Sequence, residues 1–260
     1  MTADPARPAV TMADDVALVT LGRDLLAVAC DSCAGAGDKP GDAVPATPYV
    51  VGRFTCRVPL LEVLAVGAQP ILVVATMGVE PEPAGARMLA GIRDEARLAG
   101  VTDDGILIST EKNIPVSQTA LGVTVLARAD PGSLRYGRGQ PGQMVVAVGN
   151  PKVGREVRLD DTEIADIPTL RLALDFPLVG DAIPVGSRGI ATEATRLARR
   201  AGLDFRPRPE PGTVDLVKSA GPASCFLVSL PAEAWREFAR HMAPSGRPCY
   251  PVGTLVAREG

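Results

Sequence analysis

Seven short aliphatic runs, each bounded by Gly, Pro or Asp, limit the fold of this chain more than any other feature. Runs of this length and composition are typical of buried β-strands. They are predicted at residues 25–32, 71–79, 105–110, 121–129, 143–150, 224–231 and 251–257. Both halves of the chain therefore resemble β-α-β units of similar size.

Helical periodicity occurs between several of these runs. PLLEVLAVG begins with Pro59, which we expect at the first helical position. AGARMLAGIRDEARLAG places Met88, Ile92 and Ala96 on one stripe and ends at Gly100, a residue suited to a left-handed cap. Two more helices are predicted in the second half, with apolar stripes formed by Ile190, Ala194, Leu197 and Ala201 and by Trp235, Phe238, Ala239 and Met242. Strands and helices mixed in this way predict an α+β fold with helices on one face of each sheet.

The segment DPGSLRYGRGQPGQ, residues 130–143, interrupts the pattern. It is rich in Gly, Pro and polar residues and has a predicted strand on each side. We therefore predict two domains, residues 1–140 and 141–260. A second Pro-rich segment, RPRPEPG at 206–212, is expected to be a loop within the second domain.

Charge and hydropathy exclude two classes of partner. The formal net charge is −3 and no basic tract is longer than Arg199-Arg200, so the chain lacks the basic face that a nucleic-acid binder needs. No apolar run is long enough to span a bilayer. The N-terminal residues MTADPARPAVTMADD lack the basic start and apolar block of a signal peptide. We expect a cytoplasmic protein with no nucleic-acid or membrane partner.

The stretch VACDSCAGAGDK contains a Cys-x-x-Cys pair, Cys30 and Cys33. Five cysteines at uneven spacing do not resemble a disulfide framework. A structural zinc site needs four ligands, and the only histidine, His241, is distant in sequence. A thioredoxin-like motif would lie at a strand-to-helix junction, whereas this stretch resembles a loop. We therefore expect Cys30 to be a small buried residue and Cys33 a loop thiol, with a reversible disulfide as the alternative.

The Gly-rich part of the same stretch is not a Walker A loop. Pro40 follows Lys39, so the hydroxyl that would hold Mg²⁺ is missing. What remains is a flexible, amide-rich loop that ends in a cation and follows Asp31. His241 lies among apolar positions and is expected to be structural or exposed, which disfavours a Ser–His or Cys–His mechanism. Any chemistry then depends on carboxylates, Lys or Arg, backbone amides and metal.

Three carboxylates lie where a charge is costly. Asp31 ends a predicted strand, Glu62 lies inside an apolar helix, and Glu111 follows the strand GILIST. Such charges must be paired or bound to a cation. Glu62 pairing with Arg53 or Arg57 is the simplest alternative. Should the three converge, their oxygen atoms suit Mg²⁺, which takes a few carboxylates together with substrate phosphates.

The sequence resembles a known superfamily, that of aminoimidazole ribonucleotide (AIR) synthetase, also called PurM-like. VGRFTCRVPLLEVLAVGAQP is similar to its S-D-x-x-A-M-G-A-x-P segment, and ISTEKNIPVSQTALGVTVLARA to its G-G-[DE]-T … G-V-T-V-x-G segment. QPGQMVVAVGNPKVG resembles the opening of its C-terminal domain, and SAGPASCFLVSLPAEAW with YPVGTLVA resembles its final portion. The resemblance extends from about Leu25 to Ala257.

The resemblance implies a two-domain PurM-like architecture, with an N-terminal β-α-β domain that forms a homodimer and a C-terminal α/β sandwich domain. It also implies ATP and Mg²⁺ as cofactors, bound near the dimer interface. The metal ligands would be Asp31, Glu62 and Glu111, and Asp31 and Lys39 would be catalytic. The expected nucleotide-binding residues are Gly35, Gly37, Lys39, Gly52, Thr110, Lys112, Asn113, Gly149, Gly186, Ser187 and Arg188.

Departures from the superfamily pattern indicate which member the chain resembles. The segment H-D-x-[TS]-[DE]-G-G is here GDAIPVGSRGI, without the His and the second acid, which leaves the role of Asp181 open. The chain resembles an AIR synthase-related branch, which includes α-ribazole kinase of cobalamin biosynthesis. The resemblance lies in the compact start CDSCAGAGDKPGD and in the segment PVGSRGI. That implies transfer of the ATP γ-phosphoryl group to the 5′-hydroxyl of α-ribazole, a nucleoside-like small molecule. The alternatives are another kinase or synthetase, resembling thiamine-monophosphate kinase or AIR synthetase, and a non-catalytic nucleotide-binding regulatory protein.

Overall fold

The structure, a computed structural model, describes residues 9–208 and 214–258. It divides into two compact units, Met1–Leu134 and Arg135–Gly260. The division falls inside the Gly- and Pro-rich segment 130–143 in which the sequence places its domain boundary. Among the described residues, no helix is both long enough and apolar enough to cross a membrane.

Unit 1 is built on a six-stranded sheet with the strand order β1-β2-β3-β8-β6-β7. Neighbouring strands are antiparallel except β6 and β7, which are parallel. Its strands, including the short pair β4 and β5, are β1 (Ala9–Ala13), β2 (Val16–Leu21), β3 (Asp24–Ala34), β4 (Ala36–Gly37), β5 (Val44–Pro45), β6 (Gln69–Met77), β7 (Ile106–Thr110) and β8 (Ala120–Ala129). Within the six-stranded sheet, the parallel pair β6 and β7 follows from the helix that connects them. β4 and β5 form a separate two-stranded parallel sheet.

Two helices cover one face of this sheet: α1 (Pro48–Ala65) packs on β3, β6 and β8, and α2 (Ala86–Leu98) packs on α1. The predicted stripe on α2 is confirmed, since Met88, Ile92 and Ala96 are fully buried. Gly100 has a φ of 88°, the left-handed cap expected there. The periodicity therefore located this helix and its core face.

The start of α1 was predicted wrongly. Pro59 lies inside the helix, which begins eleven residues earlier at Pro48, where the Thr47 side chain accepts a hydrogen bond from the Val50 amide. Thr47 and Pro48 together are a cap and first-turn signal that outweighs the later proline. Gly52 is also part of this helix, and a Cβ there would lie 2.1 Å from the Met88 carbonyl oxygen of α2.

Unit 2 contains a second, fully antiparallel sheet with the order β10-β12-β9-β13-β11. Its core packs α4 against the sheet around fully buried aliphatic side chains such as Ile190, Ala194 and Leu197, the stripe that the sequence predicts. Its elements are β9 (Met144–Val148), α3 (Ile167–Asp175), β10 (Ala182–Pro184), α4 (Gly189–Arg200), β11 (Leu203–Pro207), β12 (Phe226–Leu230), α5 (Trp235–Met242) and β13 (Cys249–Ala257).

Several elements were not anticipated from the sequence, namely β1, β2, β4, β5, β10, β11 and α3. The first residues of the predicted loop 206–212 belong to β11, whose strand ends at Pro207. The remainder of that loop, from residue 209, lies outside the described residues. The α+β fold class is confirmed.

Candidate functional site

The Cys-x-x-Cys pair lies within β3 and not in a loop, because the strand continues to Ala34. Successive side chains of a strand point to opposite faces, so Cys30 and Cys33 cannot form a disulfide with each other. The expectation of a buried Cys30 is wrong: Cys30 is exposed and Cys33 is partly buried on the helix-covered side, near Thr55 of α1. All five cysteines are free thiols.

Asp31 shares the helix-covered face with Cys33 and pairs in register with the buried Val123 of β8. Burial raises the pKa of its carboxyl group, and the Ser32 amide only partly opposes this. Among the described residues, no Lys or Arg forms an ion pair with Asp31. The position therefore holds a partly desolvated carboxylate that a bound cation would stabilise.

Hydrogen bonds accepted by Asp42 hold the Gly-rich loop that follows β3. Asp42 accepts hydrogen bonds from the Lys39 amide at 2.9 Å and from the amide and hydroxyl of Thr119 at 2.8 and 2.7 Å. These bonds hold the pKa of Asp42 below its usual range, against the opposing effect of burial. Burial and, to a lesser degree, the charges of Asp31 and Asp42 raise the pKa of the Cys33 thiol, so both carboxylates lie near it.

The glycines of this loop are required by its packing. The Gly35 amide donates to the Thr119 carbonyl oxygen at 2.9 Å, and the Gly41 amide donates to the Ser117 oxygen at 2.8 Å. A Cβ on Gly37 would lie 2.1 Å from Oγ1 of Thr119. The amides of Gly35 and Gly41 are thus already used within the fold.

The Lys39 ammonium group forms an ion pair with Glu80, a residue that follows β6 by three positions. Both side chains are only partly buried, at 18% and 31% exposure. The other carboxylate oxygen of Glu80 accepts a hydrogen bond from the Val116 amide at 3.1 Å. The bond from Lys39 lowers the pKa of Glu80 to about 2. No sequence pattern points to Glu80, because its partner Lys39 is distant along the chain.

Glu111 directly follows β7 and lies near Glu80. We call the part of unit 1 formed by Lys39, Glu80 and Glu111 the rim. Its Oε1 accepts hydrogen bonds from the Asn113 amide at 2.7 Å and the Ile114 amide at 3.2 Å. These bonds lower its pKa, while the negative charge of Glu80 raises it. Glu80 and Glu111 therefore face the same region, and the side chains of Lys112 and Asn113 are exposed beside it.

Glu62 is half-buried on α1. The two arginines that the sequence offers as its partners, Arg53 and Arg57, both bind Glu95 of α2, with Nε to carboxylate distances of 2.6 and 2.7 Å. In residues 9–208 and 214–258, no three Asp, Glu, His or Cys side chains come together as a metal site. Asp31, Glu62 and Glu111 therefore do not form a preassembled metal triad. Mg²⁺ does not require one, since it commonly takes one or two carboxylates and the phosphates of its substrate.

In unit 2, the predicted nucleotide-binding residues lie in two places. Gly149 follows β9 with a φ of 87°, and its amide donates to the Pro248 oxygen at 2.8 Å, which gives this glycine a packing role. The segment before α4 places Gly186 half-buried and leaves Ser187 and Arg188 exposed. The Arg188 side chain does not cap the helix, and its Nε lies 3.9 Å from Glu193.

Asp181 and His241, both in unit 2, make contacts that hold the fold together. Asp181 is fully buried and accepts hydrogen bonds from the amides of Arg138 and Gly139 at 2.9 and 3.2 Å, so it anchors the start of unit 2. His241 lies with Nε2 2.7 Å from the Leu172 carbonyl oxygen, and its ring packs against Phe176. These contacts agree with the structural role expected of the only histidine.

No family model matches the chain, and no curated protein matches it significantly. Solved structures do match over nearly its whole length. Thiamine-monophosphate kinase from Stenotrophomonas maltophilia K279a has a TM-score of 0.64 at 16% identity, covering 97% of this chain and 90% of that chain. This chain has the PurM-like fold.

Two further structures share this fold. HypE from E. coli, a hydrogenase maturation protein, has a TM-score of 0.68 at 15% identity and covers 90% of this chain and 81% of its own. AaThiL, complexed with AMPPCP and TMP, has a TM-score of 0.64 at 15% identity, covering 96% of this chain and 86% of its own. At these identities the comparison establishes the architecture, and the activity has to be argued from the site.

Proposed function

We propose that this protein is an ATP- and Mg²⁺-dependent phosphotransferase that acts on an alcohol group of a small nucleoside-like molecule. The observation that carries the proposal is Asp31, a partly desolvated carboxylate with no ion-pair partner in the described residues, next to a fixed loop that presents Lys39. The fold shared with AaThiL, which was complexed with AMPPCP, supports a nucleotide ligand.

In the proposed reaction, the residues of this chain act by position and charge and form no covalent intermediate. Lys39 contacts a phosphate oxygen and balances its charge. Asp31 and Glu111, with Glu62 as the third candidate, would hold Mg²⁺ together with the nucleotide phosphates. When bound, the metal neutralises charge that develops on the leaving phosphate oxygen. Asp31 also orients the acceptor hydroxyl for in-line attack on the γ-phosphorus.

We propose that the active form is a homodimer joined through the face of the unit 1 sheet opposite α1. Strand register brings aliphatic residues from five neighbouring strands into one row on this face: Met12, Ala17, Val28, Leu126 and Leu72. Met12 is 61% exposed, and Leu107 of the edge strand β7 is 58% exposed. A second copy would cover this surface, since apolar surfaces of this kind mark association sites.

The dimer is tested by molar mass in solution. We expect Met12→Glu and Leu107→Glu to yield folded monomers by light scattering after gel filtration. Ile114→Glu is the matched control, because Ile114 is 65% exposed but belongs to the loop after β7. Dimers in both face variants would refute this interface.

We propose α-ribazole as the acceptor, with α-ribazole 5′-phosphate as the product. The support is the sequence resemblance, chiefly the segment PVGSRGI, which leaves Ser187 and Arg188 exposed ahead of α4. An exposed arginine and hydroxyl at a helix start suit a polar or anionic group of the substrate.

ADP release tests the activity and its residues together. The purified chain is assayed with Mg-ATP and with α-ribazole, thiamine monophosphate or an aminoimidazole precursor as acceptor. We expect turnover with α-ribazole and loss of most of it in Asp31→Asn and Glu111→Gln. Asp38→Asn, an exposed acid in the same loop, is the matched control and should retain full rate. Full activity of both site variants would refute the carboxylate assignment.

A further inference from the structure

Glu80 joins two segments of the rim through its two carboxylate oxygens. One oxygen binds the Lys39 ammonium group, and the other accepts the Val116 amide hydrogen bond. In this arrangement the carboxylate of Glu80 binds the ammonium group of Lys39, which is the cation of the Gly-rich loop. A carboxylate oxygen and a phosphate oxygen are equivalent acceptors for an ammonium group, so Glu80 takes the place that a phosphate would occupy.

We propose that Glu80 is an internal competitor for phosphate at Lys39, so that a phosphate-bearing ligand must displace it and binds more weakly than the site would otherwise allow. This inference rests on the proposed function in one respect, namely that the displacing ligand is a nucleotide phosphate. Glu80 thereby sets the affinity of the site without itself contacting the reacting atoms.

The exchange costs little because neither partner depends on the ion pair for its position. The loop is held by Asp42, which binds the Lys39 amide and Thr119, and not by the Lys39 side chain. Glu80 keeps its bond to the Val116 amide when the ammonium group leaves. An ion pair that reaches solvent is weak, because water replaces the lost contact, so a multiply charged phosphate can displace it.

The test compares two probes: inorganic tripolyphosphate, and AMPPNP with Mg²⁺. Their dissociation constants are measured by calorimetry on the full chain for the wild type, Glu80→Gln, Lys39→Met and the double variant. Glu82→Gln is the matched control, since Glu82 is an exposed acid two positions away and the charge change is identical.

We expect Glu80→Gln to bind tripolyphosphate about 2- to 5-fold more tightly than Glu82→Gln does. The gain should vanish in the Lys39→Met background, because the competition acts only through that ammonium group. A merely structural role of Glu80 would instead weaken binding in both backgrounds.

The outcomes separate this inference from the proposed function. If tripolyphosphate gives the expected pattern and AMPPNP binds no variant, the inference holds and the nucleotide function fails. If AMPPNP binds the wild type but Glu80→Gln binds both probes no more tightly than Glu82→Gln, the inference is overturned and the function stands. Binding of neither probe to any variant overturns both.

Discussion

Two clusters of opposite charges in unit 1, among several, differ chiefly in the burial of their glutamate. In the first, the fully buried carboxylate of Glu95 is bound by Arg53 and Arg57 between α1 and α2. In the second, Lys39 and Glu80 meet at a rim where both side chains reach solvent. Each cluster joins one glutamate to Arg or Lys side chains, but only the glutamate of the second cluster reaches solvent, where a ligand can approach it.

The comparison shows how burial separates structural from functional charge. A buried ion pair cannot exchange partners, because removing one partner leaves an uncompensated charge in a medium of low polarity. A solvent-exposed pair exchanges readily, because water and ligand oxygens replace the lost contact. We therefore expect substitutions in the two clusters to affect different properties of the protein.

The largest effect on stability is expected at the buried cluster. Glu95→Gln removes the negative charge that Arg53 and Arg57 both bind and should lower the free energy of unfolding by about 3–5 kcal/mol. The same substitution at Glu80 should lower it by less than about 1 kcal/mol. Urea denaturation of both variants measures the difference. Equal losses of unfolding free energy would contradict the distinction between the buried and the exposed glutamate.

The buried cluster also requires α1 and α2 to approach closely. A Cβ on Gly91 would lie 2.1 Å from the Tyr49 carbonyl oxygen, so Gly91→Ala forces the helices apart and should cost about 3 kcal/mol. Gly132→Ala is the control, because a Cβ there meets nothing closer than 3.5 Å. Similar unfolding midpoints for the two alanine variants would show that the helices are not held by this contact.

A smaller and more local effect is expected at the rim. Asp42→Asn replaces an acceptor of three hydrogen bonds and should speed hydrogen exchange of the Thr119 amide about 10-fold. Lys39→Met should leave that exchange rate unchanged, because the loop does not depend on the ion pair. Faster exchange in Lys39→Met to the same degree would mean that the pair is structural, as in the buried cluster.

The smallest effect is expected at Asp31 and has the opposite sign. Because burial disfavours its charge and no cation pairs with it among the described residues, Asp31→Asn should stabilise the ligand-free protein by up to about 1 kcal/mol. Mg-ATP should then raise the melting temperature of the wild type and not of the variant. Destabilisation of the ligand-free Asp31→Asn protein would indicate a structural role.

The sequence predicted the elements with strong periodicity and missed those that depend on pairing. The stripe of Met88, Ile92 and Ala96 repeats at helical spacing, so α2 was recoverable from local pattern alone. β10 is only three residues long, and β11 contains two charged residues and a proline, so neither has a periodicity of its own. Such strands form because a neighbouring strand supplies their hydrogen bonds.

The candidate site was also predicted only in part. Asp31 was found because a carboxylate in an apolar strand is unusual wherever the strand lies. Glu80 was missed because its importance comes from contacts with Lys39 and Val116, which only the folded chain brings within reach. Cys30 and Cys33 were misjudged because strand alternation, which places them on opposite faces, applies only once β3 is known to extend through them.

Phosphorus NMR of the reaction with Mg-ATP and α-ribazole tests the proposed phosphoryl transfer most directly. We expect a new phosphomonoester signal, formed in equal amount with ADP and absent in Asp31→Asn. Bound nucleotide without any phosphomonoester, for α-ribazole and for every other acceptor tried, would contradict it.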